Sequence, residues 1–207
     1  MVIDLALGAW LELEPAWIPR PEADRLHETL VRTLAWEQRE IVLYGKRLMQ
    51  PRLIAWGGDR PYRYSGQTLE PRPMTPALAP VLEAVQLRTH VPFNHVLVNR
   101  YRDGNDSMGF HADDEAELGE NPLVATVSLG ATRRFVLRPR RGHDRESLQY
   151  PLEHGSLVVM GGTCQRQYHH GIPKQPSVHD ERVSLTFRWL RTDLQGDEHE
   201  DRRSRNG

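Results

Sequence analysis

From Phe93 onward the chain breaks into short β-branched or alternating runs, at residues 95–98, 123–129, 134–137, 156–160 and 183–190, with Gly, Pro, Asp and Asn in the segments between them. Runs of this length with turn chemistry between them pair as strands, and several in succession point to a sandwich or a jelly roll. The last run is the most demanding. Period-two alternation puts Arg182, Ser184, Thr186 and Arg188 on one face and Val183, Leu185 and Phe187 on the other. The apolar face belongs on a core. The other face carries two guanidinium groups, which are costly to bury without partners.

Two helices are predicted ahead of the strands. Residues 21–38 place Ala23, Leu26, Leu30, Leu34 and Ala35 on one stripe, with Pro21 at the first helical position. A second helix is predicted to start at Thr75-Pro76, an N-cap before a proline whose missing N–H costs nothing there, and to run through Leu78, Leu82 and Val85. Both read as scaffold for a sheet. The 207 residues suit one domain, residues 1–191, with a helical N-terminal part to about residue 92 and a jelly-roll core from about 93 to 191. Residues 192–207 are polar, mixed in charge and without apolar periodicity, and are expected to be a disordered tail.

Composition narrows the function classes. The 27 Lys and Arg nearly balance 28 Asp and Glu, a formal net charge of -1, so total charge marks neither a nucleic-acid binder nor a membrane-surface protein. The single cysteine, Cys164, excludes an internal disulfide and a cysteine-rich zinc module and fits a reducing compartment. Any metal must therefore be held by His, Asp or Glu. The first 13 residues lack a basic leader, and no apolar run approaches the roughly 18 residues that span a bilayer. A cytoplasmic protein without membrane contact is expected.

His111-Ala112-Asp113 places an imidazole and a carboxylate two residues apart, where an extended chain points both the same way. The pair alone is weak, since a solvated turn in an acidic stretch looks the same. His169-His170-Gly171 follows downstream of a strand-like run, and the arginine-bearing strand comes after it. Two imidazoles and one carboxylate on one face of an octahedral ion leave three positions open, the arrangement of non-haem Fe(II) oxygenases, with room for a bidentate co-substrate and dioxygen. A dicarboxylate such as 2-oxoglutarate would supply the partners that Arg182 and Arg188 need. Asp or Glu of neighbouring strands would serve them equally well.

Asn99-Arg100-Tyr101, His111-x-Asp113, His170 and Arg182-x5-Arg188 together resemble the AlkB family of Fe(II)/2-oxoglutarate dioxygenases. Gln50-Pro51-Arg52, the run from Pro61 to Ser65, and the stretches at 111–115 and 128–131 extend the resemblance to the animal AlkB homologues acting on DNA. It covers about residues 41–190 and is specific in combination. The resemblance implies a mainly β fold with flanking helices, a double-stranded β-helix or cupin-like jelly roll. It implies Fe(II) held by His111, Asp113 and His170, with His169 the competing ligand. Asn99, Tyr101 and Arg182 would hold the distal carboxylate of 2-oxoglutarate, and Arg188 the carboxylate nearer the metal. The family often has Asn where this chain has Ser184, whose shorter hydroxyl keeps one hydrogen bond at best.

The reaction implied is oxidation of an N-alkyl carbon on a nucleic-acid base, whose product collapses to aldehyde and free base. Bases alkylated on a Watson–Crick nitrogen, such as 1-methyladenine and 3-methylcytosine, are cationic, and the resemblance gives Glu115 the role of favouring them. Tyr64, with Tyr62 two residues earlier, would stack on the flipped base, and Tyr44 would be the hairpin wedge that opens a duplex. Arg39, Lys46, Arg47 and Arg52, and Arg133, Arg134, Arg138, Arg140 and Arg141, form basic segments expected to meet phosphates. The expected partner is alkylated DNA, with RNA the nearest alternative, and a monomer is expected. Two rivals stand beside this reading. A dioxygenase of proteins or small molecules would keep the iron residues but leave Tyr64 idle, and a cupin-like binding module would leave the Arg182/Arg188 face without purpose.

Overall fold

The computed structural model describes residues 1–43, 46–64, 66–140 and 146–191, and within these not the side chains of residues 42, 43, 46 and 64. Two strands, β1 (Val2–Ala6) and β2 (Ala9–Glu14), precede helix α1 (Arg20–Thr33). Five short strands follow: β3 (Glu40–Leu43), β4 (Lys46–Met49), β5 (Leu53–Gly58), β6 (Tyr62–Tyr64) and β7 (Gln67–Leu69). Helix α2 (Ala79–Thr89) leads into β8 (His95–Tyr101), β9 (Met108–His111), β10 (Val124–Gly130), β11 (Arg133–Pro139), β12 (Leu148–Leu152) and β13 (Ser156–Gly162). A single helical turn, α3 (Cys164–Gln167), then leads into β14 (Tyr168–Ile172) and β15 (Arg182–Arg188).

Seven strands form the major sheet in the order β1-β2-β13-β10-β15-β8-β5, and four form the minor sheet, β12-β11-β14-β9. All neighbours in both are antiparallel. Alternation along β15 sorts its residues as the sequence implies. Val183, Leu185 and Phe187 join Ala23 and Leu30 of α1 and Val81 and Val85 of α2 in one core, so the helices cover the outer face of the major sheet. A second core, with Leu11, Val158 and Met160 from the major sheet and Phe135, Leu137 and Ile172 from the minor one, fills the space between the sheets. This is the expected jelly roll.

Several boundaries differ from the sequence expectation. Helix α1 stops at Thr33 because Leu34 is already extended and Glu37 bridges to Ile54 of β5. Thr75 does not cap α2: a turn over Thr75–Leu78 comes first, and Pro80 takes the first-turn position. The N-terminal part is not mainly helical. It carries β1 to β7, of which β1, β2 and β5 extend the major sheet. The signal for β2 was present in Leu11-Glu12-Leu13-Glu14, whose alternation buries both leucines against β13, Leu11 opposite Met160 and Leu13 opposite Val158. Residues 192–207 lie outside the described residues. No helix among the described residues is long and apolar enough to cross a membrane.

His95 is one of several buried polar residues. It opens β8, is fully buried, and stands in register with Arg188 on one side and Gly58 on the other. A Cβ on Gly58 would sit 2.8 Å from the His95 ring, so glycine is required there. Neither ring nitrogen has a hydrogen-bond partner among the described residues. Burial, aided by the Arg188 charge, pushes the His95 pKa down to about 3. Its unfolded counterpart titrates near 6.5, so below that pH only the unfolded chain takes up the proton. The stability linked to His95 is thus complete above pH 6.5 and lost as pH falls toward 3. Going from about pH 7.5 to 4.5, the unfolding free energy measured with denaturant should fall by about 2–3 kcal/mol more in the wild type than in His95→Phe. Equal losses would mean that the folded protein accepts the proton.

Candidate active site

The pairing of β9 with β14 sets His111 directly opposite His170, with ring centroids 4.4 Å apart. Close approach of these strands depends on Gly171, where a Cβ would meet the main chain of Met108 and Gly109 at 3.0 to 3.2 Å. Gly171 is thus a strand residue. Asp113, just beyond β9, turns inward and is 1% exposed. The ligand atoms of His111, Asp113 and His170 all lie within 4.8 Å of one another, and they form the one such cluster of His, Cys, Asp or Glu among the described residues.

The protonation states suit a metal. His111 Nδ1 lies 2.9 Å from the carbonyl of Gly109. A carbonyl only accepts, so Nδ1 carries the hydrogen and Nε2 keeps its lone pair for the cluster. Burial holds the His111 pKa below its usual value despite the Asp113 charge, and burial with the neighbouring His111 pushes His170 down to about 3. Both imidazoles are neutral. Burial alone would raise the Asp113 pKa, but Arg188 together with His170 and His111 outweighs it and holds the carboxyl at about 2. Arg188 Nη2 donates to Asp113 Oδ1 at 2.7 Å, while Oδ2 is buried with no hydrogen-bond partner among the described residues. That orphaned oxygen, 3.8 Å from His170 Nε2, completes a donor set that fits a facially bound Fe(II).

Next to the cluster, Asn99, Tyr101, Arg182, Ser184, Thr186 and Arg188 line one pocket. Arg182 donates from Nε to Ser128 Oγ at 2.8 Å and its Nη1 has no partner among the described residues, nor have Nε and Nη1 of Arg188. Burial pushes the Arg182 pKa down to about 10, the mark of a cation lacking a counter-charge. The alternative of structural ion pairs holds only for Arg188, and its partner is the candidate metal ligand itself. Free donors at two buried arginines fit a dicarboxylate.

The remaining predicted residues scatter. Glu115 is half-buried, and burial followed by the Asp113 charge pushes its pKa up to about 7. Tyr62 is fully buried, 4.8 Å from the His95 ring and with Arg188 5.3 Å above its own ring, so it offers no open stacking surface. The side chain of Tyr64 and all of Tyr44 lie outside the described residues. His169, the competing ligand, stands opposite Arg138 in the register with β11, while His170 stands opposite Leu137 and faces inward. Arg52 is 4% exposed and bonded to Asn99 and Ser107, which corrects its expected place at a phosphate. Arg133 is likewise buried, donating to the main-chain carbonyls of Asp103, Asp106 and Pro173.

Arg39, Arg47 and Arg140 pair with Glu37, Glu40 and Asp114. Arg134 is exposed, and exposed Arg138 lies 3.6 Å above the Phe110 ring. The Lys46 side chain and Arg141 lie outside the described residues. Sequence reasoning missed Gln165, a buried residue whose Oε1 accepts the Asp113 N–H at 3.0 Å. Its separation of 52 positions from Asp113 left no local signal.

Comparison with known proteins agrees with this geometry. The 2OG-Fe(II) oxygenase superfamily profile matches residues 11–188. The chain is 38% identical over 192 residues to human alpha-ketoglutarate-dependent dioxygenase alkB homolog 3, covering 89% of this chain and 67% of the relative. The Bos taurus protein of that name gives 38% over 190 residues, covering 88% and 66%, so the chain spans about two thirds of the length of these relatives. Mouse DNA oxidative demethylase ALKBH2 is 38% identical over 182 residues, covering 82% and 75%. A Burkholderia pseudomallei oxidoreductase of the 2OG-Fe(II) oxygenase family has a similar fold, with a TM-score of 0.59, 19% identity, and coverage of 88% of this chain and 85% of that one. Profile and identity together show that the chain belongs to the 2OG-Fe(II) oxygenase superfamily and, within it, to the AlkB family.

Proposed function

We propose that this chain oxidatively removes alkyl groups from Watson–Crick nitrogens of nucleic-acid bases, with DNA as the preferred substrate and RNA the nearest alternative. Family membership brings Fe(II) as the metal and 2-oxoglutarate and dioxygen as co-substrates. When bound, they couple oxidation of 2-oxoglutarate to succinate and carbon dioxide with hydroxylation of an alkyl carbon, which the base then sheds as aldehyde. His111, Asp113 and His170 would hold the metal. Arg182, Asn99 and Tyr101 would hold the distal carboxylate of 2-oxoglutarate, and Arg188 the proximal one.

The observation that carries the choice of substrate is Glu115. Its Oε2 is buried without a hydrogen-bond partner among the described residues, two positions from the candidate ligand Asp113. A carboxylate in such a place attracts a cationic base and gains nothing from a neutral one. The relatives named as DNA oxidative demethylases support the same reading. Tyr64, beside Tyr62 on β6, is proposed to stack on the flipped base, and exposed Arg134 and Arg138 to meet the backbone. Glu115→Gln should lower demethylation of 1-methyladenine and 3-methylcytosine in oligonucleotides about tenfold, the scale of one partly screened charge. Turnover of a neutral alkylated base such as 3-methylthymine should change little. An equal loss on both would remove Glu115 from base recognition, and no release of formaldehyde from any oligonucleotide would favour a protein or small-molecule substrate.

The metal assignment has its own test. His111→Ala, Asp113→Ala and His170→Ala should each abolish Fe(II) binding measured anaerobically, because a facial site that loses one of three protein ligands keeps neither affinity nor geometry. His169→Ala should bind Fe(II) like the wild type. Loss of binding in His169→Ala with retention in His170→Ala would reverse the two roles.

A further inference from the structure

Arg52, expected on the surface, lies one residue before β5 and inside the protein. Its Nε donates to Asn99 Oδ1 at 2.8 Å and its Nη1 to the carbonyl of Ser107 at 3.1 Å. Ser107 N–H returns a hydrogen bond to the carbonyl of Pro51, so this short segment is stitched to the start of β9, the strand that ends in His111. A guanidinium has only donors. The amide atom of Asn99 that meets it must therefore be the oxygen, and chemistry settles an orientation that an amide otherwise leaves open. The NH2 group is what remains for the pocket that Asn99 lines, where Asn99 stands opposite Ser184 and two residues from Tyr101. Carboxylates only accept hydrogen bonds. A reversed amide would present oxygen to oxygen.

We propose that Arg52 is a positioning residue for 2-oxoglutarate. By holding Asn99 Oδ1 it aims Asn99 Nδ2 at the distal carboxylate, and through Ser107 it ties that contact to the metal-bearing strand. The proposal rests on the reading of Asn99 as a carboxylate ligand. It explains why a buried guanidinium stands behind a pocket already lined by two others. Lysine could not replace it, since an ammonium on a flexible stem lacks the fork that reaches Asn99 and Ser107 together.

Binding rather than turnover provides the test. Protein loaded with Mn(II) without oxygen would be titrated calorimetrically with 2-oxoglutarate and with 2-oxobutanoate, which keeps the keto-acid end but lacks the distal carboxylate. Arg52→Met and Arg52→Lys should weaken 2-oxoglutarate binding about tenfold, the scale of one hydrogen bond to a charged group, and leave 2-oxobutanoate binding unchanged. Asn99→Ala should do the same, and the Arg52→Met/Asn99→Ala double variant should lose no more than either single one. Equal weakening of both keto acids in the Arg52 variants would give Arg52 a general packing role and overturn the proposal, as would additive losses in the double variant. If Asn99→Ala leaves 2-oxoglutarate binding intact, the reading of the pocket falls and the proposal with it. Loss in Asn99→Ala alone would defeat Arg52 while sparing that reading. Arg52→Lys keeps the buried charge and serves if Arg52→Met does not fold.

Discussion

Between the two sheets, Arg188 and Asp113 meet at 2.7 Å with 2% and 1% of their side chains exposed. Neither ion could be kept there alone, since an uncompensated buried charge costs several kcal/mol, of order 3–5 when one partner is removed. Each therefore keeps the other ionised, with the carboxyl held low and the guanidinium pKa raised by the Asp113 charge against the pull of burial. The two residues come from different sheets. Arg188 ends β15 in the major sheet and Asp113 follows β9 of the minor one, so the ion pair ties the layers together where the two imidazoles converge. It uses only one oxygen of Asp113 and leaves the other for a metal.

The buried arginines show how a ligand site differs from a structural brace. Arg133 and Arg182 are both almost wholly excluded from solvent. Arg133 spends its donors on three main-chain carbonyls and holds loops around the start of β11. Arg182 bonds to the side chains of Ser128 and Tyr101 and keeps a bare Nη1. Folded proteins rarely leave such donors unmet. Those of Arg182 and Arg188 belong to one pocket, beside an orphaned carboxylate oxygen, which is the pattern of a site for anions and a cation. Stability and function thus draw on the same residue type, and burial does not separate them; the partner atoms do.

Much of the catalytic core was legible because its signals are local. Alternation along β15 depends only on the period of a strand, and the inward face it assigned to Arg182, Ser184, Thr186 and Arg188 is the face that lines the pocket. The spacing of His111 and Asp113 is equally local. What misled was exposure. Arg52 and Arg133 sit in basic stretches of sequence, and charge in a run reads as surface, yet both fold inward because carbonyl and amide oxygens from distant segments meet them. Tyr62 failed in the same way, buried against His95, a contact 33 positions away in the chain.

The sequence by itself determined the strand character of residues 93–190, the one-sided polarity of the last strand, and the residue types able to bind a metal, since these follow from backbone period and side-chain chemistry. Tertiary structure decided the rest. Only the register of β14 against β9 turns His170 inward and His169 outward, because neighbouring residues of a strand point to opposite faces and a slip of one position would exchange them. Only three-dimensional packing brings Arg52 to Asn99 and Gln165 to Asp113, contacts 47 and 52 positions apart. A hydrogen bond depends on distance in space, and no pattern along the chain encodes which two distant polar groups the closed sheets will bring within reach.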